Sequence, residues 1–451
     1  MGLFNCFATP RSPIVHFASK TSQLQVRNQQ DSESQQQKVA SLRHLVTTRC
    51  PSLFAPFEPS WWLTNGHVQT MFSVFTDLSQ VDPLYYRRQL LELIDGGTLG
   101  LDFAPIDDSS LHNDTPILVV LHGLTGGSYE PYLKAIVARA TESPERGGLG
   151  YRAIVVHFRG CGGVPMTTPR FYSAGGTDDI RQAVIYIANK YPHAPLLGLG
   201  FSLGANIMTR YVAEEGEKSR LSAVCALACP WDLDANDKLM TSSWTGQSIY
   251  GPALGGNLVA LIKHHHKTMV LDDPDHPVAK AVPTLLDVKN ITLHKYDDVF
   301  ARFVAGPPPI FPLSSVEAYY RAMSSHTSVK DIRVPYLAVN SADDPVVRHV
   351  PLDGGGNPWV VMVLTAYGGH LGWFKDGGGK DRWTTKPVLE WLKLAGDVMV
   401  KPSLAPVEIY MDSNGFIREK VDSNLELGCR EKEGGGLING NGGEAGVFRG
   451  L

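Results

Sequence analysis

The chain has little of three features that would mark a special environment: paired cysteines, long apolar runs and an excess of one charge. Its six cysteines lack the spacing of a metal site or of a disulfide framework, which is typical of a reducing compartment. No run approaches the roughly 18 apolar residues of a transmembrane helix. The net charge is −4, without a long basic run. We therefore expect a cytoplasmic protein with no nucleic-acid partner, no metal and no cofactor.

Both ends of the chain are predicted to lack a packed structure. Residues 1–50 are poor in acids and include a Gln/Ser-rich stretch with too few apolar residues to pack, which indicates a flexible leader. Gly2 and Cys6 leave acylation and peripheral membrane contact open, beside organelle targeting or an unmodified tail. Residues 402–451 are predicted to form a C-terminal tail, largely disordered from about residue 429 because it is rich in glycine.

The region 51–401 is predicted to be one α/β domain. Residues 87–94 and 98–103 are predicted to form a hairpin. The predicted strands after it cover 116–121, 153–158, 196–201, 222–229, 334–340 and 359–364, and the predicted helices cover 132–140, 177–190, 203–212 and 387–398. This alternation is typical of a mostly parallel sheet with helices on both faces. Between about 230 and 332 the alternation stops, and we expect a lid above the strand ends.

A candidate nucleophile lies at one junction of strand and helix. Ser202 is the centre of Gly200-Phe201-Ser202-Leu203-Gly204, which follows an apolar strand and opens a helix. Such a turn pushes the serine hydroxyl out of the sheet, and the glycines let neighbouring backbones pass close by. The pattern predicts a catalytic serine.

A serine hydroxyl needs a base, and the base needs an acid that fixes its tautomer. His370 follows a late strand among glycines, where a core histidine is poorly explained. Asp343 and Asp344 follow the strand before it, so the chain order Ser, Asp, His is satisfied. Asp344 is favoured because it directly precedes Pro345-Val346, whereas Asp343 is then a turn residue; the choice stays open.

The developing oxyanion needs two backbone N–H donors. Leu203 offers one as the residue after the nucleophile, and Leu124 offers the other from the loop after the first buried strand. Because both donors belong to the main chain, this assignment rests on position and not on the type of side chain.

Taken together, these motifs resemble one family over residues 51–401. It is the α/β-hydrolase-fold family of bacterial hydrolases, yeast medium-chain fatty-acid ethyl ester synthase/esterases, animal α/β-hydrolase-domain lipases and plant embryogenesis-associated proteins. The motifs are Asn65-Gly66-His67-Val68-Gln69-Thr70, His122-Gly123-Leu124, Phe158-Arg159-Gly160-Cys161-Gly162-Gly163, Gly200 to Asn206, Pro230-Trp231-Asp232, Asp343-Asp344-Pro345 and Gly368-Gly369-His370-Leu371-Gly372. The resemblance implies an α/β-hydrolase fold and a serine hydrolase acting on carboxylic esters, with acyl transfer to an alcohol in some relatives.

The choice of substrate is not carried over, because the lid stretch 241–266 matches the family poorly. The sequence does not indicate an oligomeric state. We expect an acyl ester or a lipid as substrate, with lid side chains lining a pocket for short to medium acyl chains. An acyltransferase and a ligand-binding protein that keeps the triad without catalysis remain as alternatives. His264-His265-His266 is interpreted as a solvated lid segment, and the pattern from His326 to Asp331 as accidental.

Overall fold

The computed structural model describes residues 11–27, 38–307, 309–375, 378–400, 407–420 and 427–441. The strands are β1 (Ile14–Phe17), β2 (Gln23–Val26), β3 (Lys38–Ser41), β4 (Tyr85–Leu93), β5 (Thr98–Ala104), β6 (Ile117–Leu121), β7 (Arg152–Val156), β8 (Leu196–Phe201), β9 (Leu221–Leu227), β10 (Tyr336–Ser341), β11 (Val360–Thr365), β12 (Phe374–Lys375), β13 (Asp381–Arg382), β14 (Met399–Val400), β15 (Ile409–Met411), β16 (Ile417–Glu419) and β17 (Cys429–Asn439).

The helices are α1 (Leu42–Arg49), α2 (Gly66–Phe75), α3 (Pro131–Thr141), α4 (Asp178–Lys190), α5 (Leu203–Glu215), α6 (Leu233–Ser242), α7 (Gly251–His264), α8 (Pro277–Leu286), α9 (Leu293–Tyr296), α10 (Arg302–Val304), α11 (Val316–Met323) and α12 (Thr385–Lys393). Short 3-10 and π turns connect several of them. Within the ranges given above, no helix is both long enough and apolar enough to cross a membrane.

The central sheet positions the site. Its order is β1-β11-β10-β9-β8-β6-β7-β5-β4-β17-β16-β15, and the strands from β11 to β7 pair in parallel. The chain goes from β6 to β7 on one side and then to β8 on the other, so the direction of winding changes at β6. Loops that follow β6 and β8 therefore meet at the same edge, where sheets of this kind bind ligands.

Two apolar cores lie on the two faces of this sheet. Alternate side chains of β6 point to opposite faces, as the period of a strand requires. Ile117, Val119 and Leu121 pack with α4, α5 and the lid helices, whereas Leu118 and Val120 pack with α1, α3 and α12. Every residue of β6 is buried, which explains its continuous apolar run. The predicted fold class is confirmed.

The prediction of a flexible leader over residues 1–50 is wrong for part of that range. β1 pairs antiparallel with β11 at the edge of the central sheet, β2 pairs with β3 and β14, and α1 is capped by the Ser41 side chain. β1 and β2 pair with strands more than 300 residues away along the chain, which no local pattern reveals. The Gln/Ser-rich stretch, Gly2 and Cys6 lie outside the described residues.

The prediction of a tail largely disordered from about residue 429 is also wrong for residues 429–441, and residues 442–451 lie outside the described residues. β17 pairs antiparallel with β4 from Cys429 to Asn439, with a shift in register between Lys432 and Gly435. Glycine supplies the same main-chain donor and acceptor as any other residue, so a glycine-rich segment can still join a sheet. Elsewhere in the chain, helix α2 begins at Gly66. Asn65 caps α2 there by accepting a hydrogen bond from the Val68 amide at 3.1 Å.

The insertion between β9 and β10 consists of helices. The chain forms α6 to α11 in this interval, and several of them pack on the edge of the sheet where β6 and β8 end. The structure thus places helical segments above the strand ends, and these segments form one wall of the cavity described below.

Candidate active site

Ser202 occupies a strained turn between β8 and α5. Its φ of 51° and ψ of −120° are unusual for a residue with a side chain. Added Cβ atoms would lie 2.6 Å from the Ala205 Cα at Gly200 and 2.4 Å from the His122 carbonyl oxygen at Gly204, so both positions require glycine. The close packing around these glycines stabilises the strained turn, and it holds the Ser202 hydroxyl above the sheet.

The structure brings Ser202, His370 and Asp344 together in one hydrogen-bonded chain. His370 Nδ1 lies 2.9 Å from Asp344 Oδ2, and His370 Nε2 lies 2.8 Å from Ser202 Oγ. A carboxylate only accepts, so Nδ1 carries the proton and Nε2 accepts from the serine hydroxyl. All three residues are buried, which keeps these hydrogen bonds away from competing water.

The two neighbouring aspartates have different surroundings. Asp344 Oδ1 accepts hydrogen bonds from the amides of Val346 and Val347 at 2.8 and 2.9 Å, which leaves Oδ2 for His370. Asp343 instead accepts from the Ser341 hydroxyl and the Gly369 amide, so it holds the turn. The geometry favours Asp344 as the partner of the histidine.

Leu124 and Leu203 line the same cavity as Ser202 and His370. The peptide group that joins Gly123 to Leu124 is held on its carbonyl side, because His122 Nδ1 donates to the Gly123 oxygen at 2.7 Å. His122 is neutral: the Phe158 amide donates to its Nε2, and burial lowers its pKa to about 3. Fixing the carbonyl of a planar peptide also fixes the direction of its N–H. The hydrogen bond from His122 therefore sets the direction in which the Leu124 N–H points.

A buried charged cluster supports the loop that follows. Arg88 donates to Asp102 at 2.6 and 2.7 Å, and His157 and Ser128 contact the same carboxylate at 2.8 and 2.6 Å. Burial alone would raise the pKa of Asp102, but His157 and Arg88 lower it below its usual range. The charged carboxylate thereby ties Ser128, four residues after Leu124, to β4, β5 and the end of β7.

Helix α2 supports the acid and the histidine, a role that sequence reasoning missed although it identified the motif. A Cβ on Gly66 would lie 1.8 Å from the Asp343 carbonyl oxygen, so helix and acid loop are in direct contact. Thr70 accepts a hydrogen bond from the His370 amide at 2.8 Å, and Gln69 accepts one from the Phe374 amide at 2.9 Å. The signal was present in Gly66, Gln69 and Thr70 of the motif that the sequence analysis identified.

The cavity above Ser202 is lined mainly by the lid. Its apolar wall includes Leu203, Leu233, Met240, Leu254, Leu258 and Val346. A few polar side chains of α6, α11 and the segment around α9 interrupt this wall. Such a cavity accommodates an apolar chain next to the nucleophile.

Two other motifs serve the structure. His265 Nε2 donates to the Gly160 carbonyl at 2.8 Å, so the lid histidines are only in part solvated. His326 Nδ1 donates to the Trp231 carbonyl at 3.2 Å and does not line the cavity. Among the residues that the structure describes, no three His, Cys, Asp or Glu side chains are grouped so that they could hold a metal ion.

Comparison with known proteins agrees with this geometry. The family model for the alpha/beta hydrolase fold matches residues 116–352. A monoacylglycerol lipase of Saccharomyces cerevisiae is 30% identical over 416 residues, covering 83% of this chain and 89% of the relative. Phospholipase ABHD3 of Homo sapiens is 28% identical and covers 74% of this chain and 78% of its own length.

A third relative is the medium-chain fatty acid ethyl ester synthase/esterase 2 of Saccharomyces cerevisiae, which is 27% identical and covers 77% of this chain and 87% of the relative. The family model spans more than half of the chain, and the first relative aligns along most of both sequences. The resemblance predicted from the motifs is therefore confirmed, and the chain belongs to the α/β-hydrolase fold family.

Proposed function

We propose that this ester hydrolase cleaves carboxylic esters of short- to medium-chain acyl groups through an acyl-enzyme on Ser202. The observation that carries the proposal is the hydrogen-bonded chain from Asp344 through His370 to Ser202, which opens into an apolar cavity.

Each group has one role in the proposed reaction. Ser202 Oγ attacks the ester carbonyl while His370 Nε2 takes its proton, and Asp344 stabilises the imidazolium. The amides of Leu124 and Leu203 hydrogen-bond the negative oxygen of the tetrahedral intermediate. His370 then gives the proton to the leaving alcohol. Water, activated by the same histidine, attacks the acyl-enzyme, and a second tetrahedral intermediate collapses to the acid and free Ser202.

The apolar lining supports an acyl chain longer than acetyl. Each buried methylene group contributes about 0.8 kcal/mol, so an octanoyl chain that is fully buried gains several kcal/mol over acetyl. Uniform binding of this kind lowers KM, and it raises kcat only where the chain also orients the carbonyl. We therefore expect kcat/KM to rise from acetyl to about octanoyl esters.

Acyl transfer to an alcohol is the second candidate, because one relative carries both synthase and esterase in its name. The two reactions share the acyl-enzyme and differ only in the acceptor.

Three measurements test the proposal. An active-site-directed fluorophosphonate probe should label the wild-type protein and fail to label Ser202→Ala; an unlabelled wild type would indicate a ligand-binding protein instead. A series of 4-nitrophenyl esters should show the rise with chain length, whereas a steady fall from acetate upward would contradict the acyl pocket. Product analysis with ethanol or glycerol present decides between hydrolysis and acyl transfer.

A further inference from the structure

The cavity above Ser202 has a polar end within its apolar lining. Asp237 of α6, Asp297 after α9 and Tyr320 of α11 all line it. The Tyr320 hydroxyl donates to Asp297 Oδ2 at 2.9 Å and lies 3.4 Å from Asp237 Oδ1. His294 Nδ1 contacts Asp237 Oδ2 at 2.9 Å from the outer side. These side chains form a connected group inside a cavity that is otherwise apolar.

Asp297 is the most unusual member of this group. Its side chain is buried, and burial raises the pKa of its carboxyl well above the usual range. The raised pKa favours the protonated form of this carboxyl, which can donate a hydrogen bond as well as accept one. The protonated carboxyl carries no charge, so it can form a hydrogen bond with a neutral polar group of a substrate.

Two polar groups in the cavity lining have no partner. The Tyr296 hydroxyl and the Asn236 side-chain amide nitrogen lack a hydrogen bond in the part of the chain that the structure describes, although both residues are more than nine-tenths buried. A buried donor or acceptor that is left unsatisfied destabilises the folded protein. A cavity serving only an unsubstituted alkyl chain gains nothing from such groups, whereas a cavity that receives a polar group does.

We propose that this end of the cavity is a subsite for a hydroxyl group carried on the alkyl chain of the ester, with Tyr296, Asp297 and Tyr320 as its hydrogen-bonding groups. The proposal rests on the proposed function and deepens it. The apolar wall between Ser202 and these groups takes the alkyl part of the chain, and the polar end takes its hydroxyl. The same chemistry is present in a hydroxyacyl ester and in the ester of a diol, so the test includes both.

The experiment compares matched esters. On the acyl side, 4-nitrophenyl 8-hydroxyoctanoate is compared with 4-nitrophenyl octanoate; on the alcohol side, 8-hydroxyoctyl acetate is compared with octyl acetate. We expect one of the two hydroxylated esters to be preferred in kcat/KM by about tenfold, because its hydroxyl satisfies buried groups that the plain chain leaves unpaired. A preference between the two 4-nitrophenyl esters would show that the acyl chain enters the lid. A preference between the two acetates would show that the alcohol chain enters it. Equal or lower kcat/KM for both hydroxylated esters would overturn the proposal.

Single-residue variants show which side chains cause the preference for the hydroxylated ester. In Tyr296→Phe and in Asp297→Leu, which remove the polar groups without supplying new ones, we expect the ratio of kcat/KM between hydroxylated and plain ester to fall by about tenfold. Tyr319→Phe is the matched control: Tyr319 lines the same cavity, but its hydroxyl already accepts a hydrogen bond from the Ala174 amide at 2.9 Å, so the ratio should stay as in the wild type. Two variants are used so that misfolding of one, seen in its thermal unfolding, leaves the other.

The ratio separates failure of the subsite from failure of the proposed function. If both esters lose activity equally in Tyr296→Phe and Asp297→Leu, these groups only support packing and the subsite is refuted, while labelling of Ser202 and turnover of octanoate by the wild type still stand. If the wild type neither reacts with a fluorophosphonate nor turns over any ester, the proposed function itself has failed.

Discussion

Replacing Gly66 by alanine tests whether helix α2 sets the position of the acid loop. A Cβ at this position would lie 1.8 Å from the Asp343 carbonyl oxygen and 2.7 Å from its carbonyl carbon, whereas real Cβ atoms essentially never come closer than 3.0 Å to a neighbour. The oxygen contact must therefore lengthen by about 1.2 Å. Because the opposing atoms belong to the main chain, no side-chain rotation relieves the clash. Either α2 or the acid loop must move.

This movement reaches the reacting groups from two sides. Asp344 is the residue next to Asp343, and Thr70 of the same helix holds the His370 amide at 2.8 Å. A misplacement of about 1 Å can lower the rate of an enzyme by about 100-fold, which corresponds to about 2.7 kcal/mol in the activation free energy. We expect kcat to fall by this factor, with KM changing less because most of the cavity lining belongs to the lid.

The assay is steady-state hydrolysis of a 4-nitrophenyl ester, together with thermal unfolding of each variant. Gly256→Ala is the control, since an added Cβ there meets no atom within 4 Å and the residue lies in helix α7. Wild-type kcat in a folded Gly66→Ala protein would refute the reasoning, because it would show that the acid loop does not depend on α2.

Three further predictions concern single side chains. Ser202→Ala should abolish ester turnover while thermal unfolding stays cooperative; near wild-type turnover would contradict the assignment. Asp344→Asn should lower kcat by about 10³- to 10⁴-fold and Asp343→Asn by much less, so the reverse ranking would reassign the acid. The raised pKa of Asp297 means that the folded state binds more protons than the unfolded state above about pH 4, so this group destabilises the fold as pH rises. Denaturant unfolding at pH 5 and pH 8 should show that Asp297→Asn loses less free energy of unfolding between these pH values than the wild type; equal losses would refute this.

Local patterns predicted the centre of the sheet well. β8 has the bounds expected from its apolar run, and β6 and β10 differ from theirs by only a few residues. Buried parallel strands are apolar throughout, and the turn that presents a nucleophile needs small residues at fixed spacing, so both leave a clear trace in the sequence. The same reasoning placed Ser202, Asp344 and His370 on loops that the structure brings together.

The contacts that the sequence did not reveal depend on tertiary structure. Whether Gly66 touches a carbonyl oxygen, and whether Asp297 is buried beside Tyr320, follows from how distant segments pack. The edge strands β1 and β17 are held by main-chain pairing, which any residue except proline can make. Amino-acid composition therefore gave a wrong prediction at both ends of the chain, where main-chain pairing determines the structure. It gave a correct prediction where the packing of side chains determines the structure.

The pairing of β17 with β4 determines where a recombinant form of this protein can be truncated. A fragment that stops at residue 401 has lost the strand that satisfies β4 over nine residue pairs, from Leu93 to Tyr85. The bare edge would present a row of free donors and acceptors to any other chain, which is how sheets nucleate aggregates. Arg88, whose guanidinium holds Asp102 next to the loop that follows β6, lies within that exposed strand. Recombinant boundaries and fusion partners therefore belong beyond Asn439, where the hydrogen-bonded ribbon is complete.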